Sequence, residues 1–293
     1  VDSFDLSSQE SSPQGVAFNT DGTKMFIVGW GGDEVNEYHL STGFDVSTAS
    51  YDSNFSVASQ ESIAQDIAFN NDGTKMFIVG SGGDEVNEYH LSTGFDVSTA
   101  SYDSNFSVAS QEDTPQGIAF NNDGTKMFIT GMAGDDVNEY TLSTGFDVST
   151  ASFVDSFSIS SQDTQPNGLA FSNDGKKMFV TGSNGDDINE YTLSTGFDVS
   201  TASFVGSISV TSQDTVPGGI KFNHDGTKLF MVGVNGADIN EYTLTTPFSL
   251  IDVSGEHTGD VLDTSNTSTR DTDVDVETLL VTAVRKGSSE GSG

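Results

Sequence analysis

The chain contains no cysteine, so it can form neither a disulfide scaffold nor a cysteine-ligated zinc site. Basic residues are also scarce, because 10 Lys and Arg stand against 44 Asp and Glu, for a formal net charge of −34. Nucleic acids and anionic membranes bind basic surfaces, so this charge argues against both as partners. The excess of carboxylates favours solubility and interaction with cations.

Long apolar runs are missing as well. No stretch of the sequence approaches the roughly 18 residues of a membrane-crossing helix, so direct membrane insertion is not expected. The motifs typical of α/β-hydrolases, zinc proteases and P-loop nucleotide-binding proteins do not occur. The chain begins at Val1 rather than Met, from which we expect that a leader has been removed from an exported protein.

What the sequence does contain is a repeat. The Asp of a recurrent Asp-Gly turn occurs at positions 21, 72, 123, 174 and 225, always 51 residues apart. Each unit has four short segments rich in Val, Ile, Phe and Tyr and bounded by turn residues, which is typical of β-strands. In the first unit these strands, designated A to D, are residues 15–19, 24–29, 35–40 and 54–58. Residues 44–50 predict a loop with one helical turn capped by Asp45.

The repeated strand B is apolar on both faces, which requires a sheet packed between two other sheets. A ring of blades provides that arrangement. The sequence therefore predicts an all-β fold, a five-bladed β-propeller of 51-residue four-stranded repeats over residues 1–252. Residues 253–293 are predicted to be a short β-rich or flexible tail.

The copies of strand D predict how the ring closes. One copy precedes the first strand A, and the last unit has none of its own. Residues 4–7 are therefore predicted to pair with strand C of the last blade, which would cover an exposed sheet edge. Two alternatives remain at this point: residues 248–253 could fill that position, or further blades could belong before Val1.

Two parts of the chain resemble known families. The hairpin at residues 18–28 and the strand at residues 35–40 resemble the YVTN and NHL-like propellers, over about residues 1–250. That resemblance implies the fold but no particular activity, because such propellers host lectins, hydrolases and scaffolds. From residue 253 the chain resembles the start of a VCBS repeat, a bacterial cadherin-like module of large exported adhesins. This second resemblance implies a longer exported parent protein and a calcium-type pattern at Asp271, Asp273, Asp275 and Glu277, although Val276 replaces the expected Gly.

Alternating strand direction places the B–C and D–A loops on one face of the ring, here called the acidic face. The D–A loops contribute Glu10, Glu61, Glu112, Asp113, Asp163 and Asp214 to this face. Hard cations bind carboxylate and carbonyl oxygens in glycine-rich loops, so the B–C loops predict a Ca²⁺ site. The alternative is a solvated acidic surface without metal. The predicted ligands in these loops are Asp33, Glu34, Asp84, Glu85, Asp135, Asp136, Asp186 and Asp187.

The copies differ most on this same face, and variable loops on a rigid scaffold are typical of binding surfaces. Trp30, the only Trp, follows strand B, where Met132 stands in the third copy. An exposed Trp can stack on sugar rings or anchor a partner. Gln14 lies just before strand A, and Asp66 replaces the Gly of the other four copies and is expected to face the central channel. These four residues are the predicted ligand-binding set.

The sequence predicts a binding protein rather than an enzyme. Glycoside hydrolysis needs two carboxylates with separated pKa values, and near-identical repeats single out no such pair. Five similar blades provide repeated weak sites that gain avidity. We expect a secreted or cell-surface adhesion module that recognises a glycan or a surface protein through the acidic face. A structural spacer in a surface fibre is the alternative, and a propeller hydrolase is less favoured.

Overall fold

The structure is a computed structural model that describes residues 1–251. Within these residues the chain forms twenty β-strands in five four-stranded antiparallel sheets, one per blade. Blade one contains β2 (Pro13–Phe18), β3 (Lys24–Gly29), β4 (Glu34–Leu40) and β5 (Ala49–Ser56). Blade two contains β6 (Ala64–Phe69), β7 (Lys75–Gly80), β8 (Glu85–Leu91) and β9 (Ala100–Ser107).

The remaining blades repeat this order. Blade three contains β10 (Pro115–Phe120), β11 (Lys126–Gly131), β12 (Asp136–Leu142) and β13 (Ala151–Ser158). Blade four contains β14 (Pro166–Phe171), β15 (Lys177–Gly182), β16 (Asp187–Leu193) and β17 (Ala202–Ser209). Blade five contains β18 (Pro217–Phe222), β19 (Lys228–Gly233), β20 (Asp238–Thr243) and β1 (Asp2–Asp5).

The ring closes as the sequence predicts, because β1 supplies the fourth strand of the last blade. It pairs antiparallel with β20, with Phe4 opposite Ile239, and the Leu6 N–H donates to the Ala237 carbonyl at 2.8 Å. The innermost strands β2, β6, β10, β14 and β18 contact one another in sequence, and β18 contacts β2. The prediction of five blades is confirmed, and the first and fifth blades are direct neighbours.

The alternative closure by residues 248–253 is wrong. Phe248 occupies the position that Phe44 has in blade one, and its ring lies over Gly226 as the Phe44 ring lies over Gly22. The Leu250 N–H donates to Glu190 of blade four at 2.8 Å, as Val46 donates to Glu241. This segment therefore follows the C–D connection of the other repeats up to the end of the described residues.

The predicted strand D was misplaced. It begins at Ala49, five residues before the predicted start, and Val57 is buried beyond its end. The start of this strand could not be predicted because its side chains are mostly exposed along one edge of the blade. It therefore lacks the pattern of apolar residues that indicates a covered strand. The predicted helical turn is confirmed as a 3-10 turn at Val46–Thr48, which Asp45 caps by accepting from the Ser47 N–H.

The A–B hairpin is built by its polar turn residues. The Asp21 carboxylate accepts from the backbone N–H and the hydroxyl of Thr23, at 3.0 and 2.6 Å. Gly22 has φ +72°, and the position of a Cβ there is taken by the ring of Phe44. Only glycine fits this turn, for reasons of both backbone conformation and space.

The hydrophobic core lies between neighbouring blades rather than within one sheet. One cluster combines Phe26 and Val28 of blade one with Met76 and Ile78 of blade two, and equivalent clusters fill the other junctions. Strand B is buried on both faces, as its sequence predicts. Each blade thus depends on both neighbours for the burial of its apolar side chains.

An ion pair between a buried glutamate and a partly exposed lysine reinforces each junction. In blade two the Glu88 carboxylate lies 2.5 Å from Lys75 Nζ and accepts from the Val148 N–H of blade three at 3.0 Å. Lys75 also donates to the Phe146 carbonyl of blade three at 2.6 Å. We call each such pair a clamp. The five clamps are Lys24–Glu37, Lys75–Glu88, Lys126–Glu139, Lys177–Glu190 and Lys228–Glu241.

Candidate functional site

The loops of the acidic face are held together by buried carboxylates. Glu61 accepts from the Ile63 N–H of its own D–A loop at 2.8 Å and from Gly82 and Gly83 of the adjacent B–C loop at 2.9 and 3.3 Å. Burial raises the pKa of the Glu61 carboxyl, against the lowering effect of these N–H donors. The face is therefore a rigid surface, with the two loops of each blade joined by charge-assisted hydrogen bonds.

This arrangement corrects the expectation for the D–A loops. Five of the six carboxylates assigned to the surface are buried and bonded to backbone N–H groups, because each fastens one loop to the next. Asp113 alone is exposed. The five buried residues are Glu10, Glu61, Glu112, Asp163 and Asp214.

The predicted calcium ligands are half-buried turn residues. Asp33 has φ +50°, and the same left-handed position is taken by Asp84, Asp135 and Asp186. The residue after each begins strand C: Glu34 and Glu85 accept from Asn54 and Asn105, whereas Asp136 and Asp187 accept from the Asn two residues on. Burial raises the pKa of the Asp136 and Asp187 carboxyls.

These eight residues form four separate pairs, one in each of four blades. In the part of the chain from residue 1 to 251, no three His, Cys, Asp or Glu side chains are grouped closely enough to hold a metal ion. A calcium ion at one loop would need further oxygens from the backbone or water, and calcium binding stays a prediction. Asp271, Asp273, Asp275 and Glu277 lie outside the described residues.

Trp30 is exposed on the acidic face, directly after strand β3. The residue is 49% exposed, and its backbone N–H donates to the Ser12 carbonyl of the neighbouring D–A loop. The matching Ser81 of blade two accepts from the Gln65 amide at 3.3 Å. Gln14 and Trp30 occupy the same two positions in blade one.

Met132 occupies the Trp30 position in blade three, and Gln116 occupies the position of Gln14. Met132 is half-buried, and Gln116 donates to the Thr114 carbonyl at 3.2 Å. Gln14, Trp30 and Met132 thus lie at the ends of strands A and B on the acidic face, in blades one and three. Their role in binding stays a prediction.

Asp66 is buried between the inner strands and is not open to the acidic face. Its carboxylate is buried and accepts from the Ile67 N–H at 2.8 Å and from the Ile118 N–H of blade three at 3.0 Å. Lys221 of blade five lies 3.9 Å away and donates to the Ile118 carbonyl at 3.3 Å. Strand A of three blades therefore meets at one ion pair.

Sequence reasoning missed Lys221, although a signal was present. It stands where the other four repeats have Ala17, Ala68, Ala119 and Ala170, just as Asp66 stands where they have Gly. Two unrelated departures from near-identical strands, of opposite charge, indicate that the residues compensate each other. Their contact needed the ring, because 155 residues separate them (221 − 66).

Lys221→Ala is expected to destabilise the protein by about 3 kcal/mol at neutral pH, because it leaves Asp66 buried without its counter-charge. Burial already raises the pKa of the Asp66 carboxyl above its ordinary 3.8, and Lys221 opposes that effect. A raised folded-state pKa means that stability is lost as pH rises from the unfolded value through the folded one. The loss should therefore shrink as pH falls, which urea unfolding between pH 4 and 8 measures.

The chain supplies the control for this variant. Asp66→Gly combined with Lys221→Ala restores the Gly and Ala of the other four repeats, and the double variant should regain most of the lost stability. A double variant as unstable as Lys221→Ala at pH 7 would show that the ion pair is not the cause.

No helix within residues 1–251 has the length and apolarity needed to cross a membrane. No protein-family model matches the chain, and no curated protein matches it. The similarity to the YVTN and NHL-like propellers, and that of the tail to VCBS modules, therefore remain resemblances.

The chain is similar to several solved structures. A functionally unknown protein from Desulfotomaculum acetoxidans is 15% identical, with TM-score 0.47, over 75% of this chain and 62% of its own. A candidate 6-phosphogluconolactonase from Bacteroides uniformis is 16% identical, with TM-score 0.48, over 78% and 66%. A protein from Lactobacillus plantarum is 14% identical, with TM-score 0.47, over 80% and 67%. This chain spans about two thirds of each, and the likeness concerns the fold alone.

Proposed function

We propose that the protein is a non-catalytic binding module of the cell surface or extracellular space that recognises a glycan or a surface protein through its acidic face. The observation that carries the proposal is the half-exposed indole of Trp30 on the acidic face. An exposed indole offers a flat apolar surface with a polar N–H, on which sugar rings can stack. Calcium in the B–C loops is a further part of the proposal, as a bridge to anionic sugars.

Rigidity of the face supports this function. The buried carboxylates fix the D–A and B–C loops to each other, so a ligand would order little protein on binding. The half-buried Asp33 and Glu34 offer acceptors for sugar hydroxyl groups beside the indole. The −34 charge favours neutral or cationic ligands over anionic polysaccharides unless calcium bridges the two.

The test is a glycan array and a cell-binding assay, each run with calcium and with chelator. Trp30→Ala should weaken the binding of any hit by about 30-fold or more, as expected for a central aromatic anchor. Ser, Met or Val fills this position in other repeats, so the fold should persist. Tyr51→Ala is the matched control, because Tyr51 is 43% exposed but lies on the outer strand β5.

Four outcomes separate the alternatives. Loss of binding in Trp30→Ala but not in Tyr51→Ala supports recognition by the acidic face. Equal binding by both variants places the site elsewhere. No binding to any glycan or cell would favour the structural spacer, and turnover of an arrayed glycoside would overturn the non-catalytic assignment.

A further inference from the structure

The opposite face of the ring, formed by the A–B and C–D loops, has a cavity of about 610 Å³ around the central axis. We call it the cup. Its rim is formed by the second residue of each hairpin turn, and Phe side chains of strand A and of the C–D loops form its wall. Its base is formed by four alanines of strand A and by Lys221.

The inner strands lie close together beside the cup. A Cβ added to Gly15 would lie 2.5 Å from the Asp66 Cα, and one added to Gly219 would lie 2.9 Å from the Gly15 Cα. Among residues 1–251, the lining of the cup includes none of the B–C or D–A loop residues of the acidic face, so the cup is a separate site.

The lining of the cup lacks the carboxylates that dominate the chain. The protein carries 44 acidic and 10 basic residues, yet among residues 1–251 no Asp or Glu lines the cup, whereas Lys221 and His224 do. The carboxylates of the hairpin aspartates form hydrogen bonds within their own turns, as Asp21 does with Thr23. An anion can therefore enter this cavity without meeting a carboxylate on its wall.

Lys221 is under-bonded for a buried ammonium group. Its side chain is only 20% exposed, and it makes one hydrogen bond, to the Ile118 carbonyl at 3.3 Å. Asp66 lies 3.9 Å away, beyond hydrogen-bond distance, and its oxygens already accept from two backbone N–H groups. A buried ammonium favours three acceptors, so Lys221 retains donor capacity beside the cavity.

The rim adds polar groups at the far end. The Asn71, Asn122 and Asn173 amides each donate to the next hairpin, at 2.8, 2.8 and 2.7 Å, and so join the blades around the opening. Within residues 1–251 no group donates a hydrogen bond to their side-chain oxygens. These oxygens can therefore accept from a ligand. From base to rim the cup thus offers an ammonium donor, aromatic walls and amide acceptors.

We propose that the cup binds a small organic monocarboxylate, with its carboxylate on Lys221 Nζ, its apolar part against the Phe wall, and any hydroxyl or amine group at the rim. The ion pair with Asp66 tunes this site, because it holds Lys221 in place while offsetting its charge. The cup is independent of the Trp30 surface on the opposite face.

Isothermal titration with benzoate and lactate, and with their neutral amides as controls, tests this assignment. Both carboxylates should bind the protein at least about tenfold more tightly than the amides, as expected for a charge-assisted hydrogen bond. Asp66→Gly with Lys221→Ala should abolish that preference in a folded protein. Asp66→Gly alone should strengthen carboxylate binding severalfold, because the ammonium then lacks its competing partner.

Trp30→Ala should leave carboxylate binding unchanged, which separates this site from the glycan surface. Two results would overturn the assignment: no carboxylate binds either the natural protein or Asp66→Gly, or benzoate binds the double variant as tightly as the natural protein. A structural role of the ion pair alone would give no gain in affinity for Asp66→Gly.

Discussion

Deleting residues 1–8 is expected to lower the melting temperature by about 10–20 °C, which corresponds to about 5 kcal/mol in a domain of this size. The deletion removes the pairing of β1 with β20 and the burial of Leu6 and Phe4, which pack in the cluster between blades five and one. Burying two such side chains contributes about 4 kcal/mol, and the strand hydrogen bonds add to that. It also exposes the edge of β20. Calorimetry measures the effect.

The repeat supplies a control for this deletion. Residues 194–210 carry the C–D connection, strand β17 and the buried Val210, and Leu193 matches Leu244. Grafting this segment after Leu244 in the deleted chain should restore the melting temperature, because blade five then receives its fourth strand from the C-terminal side. A deleted chain as stable as the natural one would contradict closure by β1.

Glu88→Ala is expected to destabilise the protein by about 3–5 kcal/mol, the usual effect of breaking a buried ion pair on one side. The change leaves Lys75 without its carboxylate and the Val148 N–H of blade three without an acceptor. The loss should depend little on salt, because buried pairs are poorly screened. Urea unfolding at low and high ionic strength measures both effects.

Glu85→Ala is the matched control for the clamp. Glu85 begins the same strand β8 but is half-buried and accepts only from the Asn105 amide. Glu85→Ala should lower the free energy of unfolding by no more than about 1 kcal/mol, as for most polar contacts near the surface. Equal destabilisation by the two variants would show that the clamp does not carry the junction between blades two and three.

The fold could be predicted well from the sequence because local residue patterns within each repeat indicate its strands and turns. The Asp-Gly turn, the doubly apolar strand B and the displaced copy of strand D were enough to predict five blades and their closure. The boundary of strand D failed because Ala49–Ser56 is an exposed outer strand whose composition resembles a loop. The pattern of apolar residues marks only strands that are covered.

The sites were harder to predict because they depend on contacts between distant residues. Whether Glu61 faces solvent or fastens a neighbouring loop is decided by backbone N–H groups about twenty residues away. The pairing of Asp66 with Lys221 depends on the closure of the ring. A sequence pattern indicates which residues depart from the repeat, but not where the chain brings them together.

The clamps all point the same way around the ring, from each blade to the one that follows it. Each Lys–Glu pair reaches from its own blade to the C–D turn of the following blade, and the pair of blade five reaches the turn of blade one, so every junction has the same polarity. The junctions are heterologous, as in a cyclic oligomer, and their chemistry is indifferent to how many units the ring has. The number of repeats in the ring must then be limited by another feature. The crowded glycines near the axis are such a feature, because the inner strands would approach one another differently in a ring of another size. The molecule behaves as a covalently linked cyclic pentamer whose subunits can diverge one at a time, as blades two and five have done.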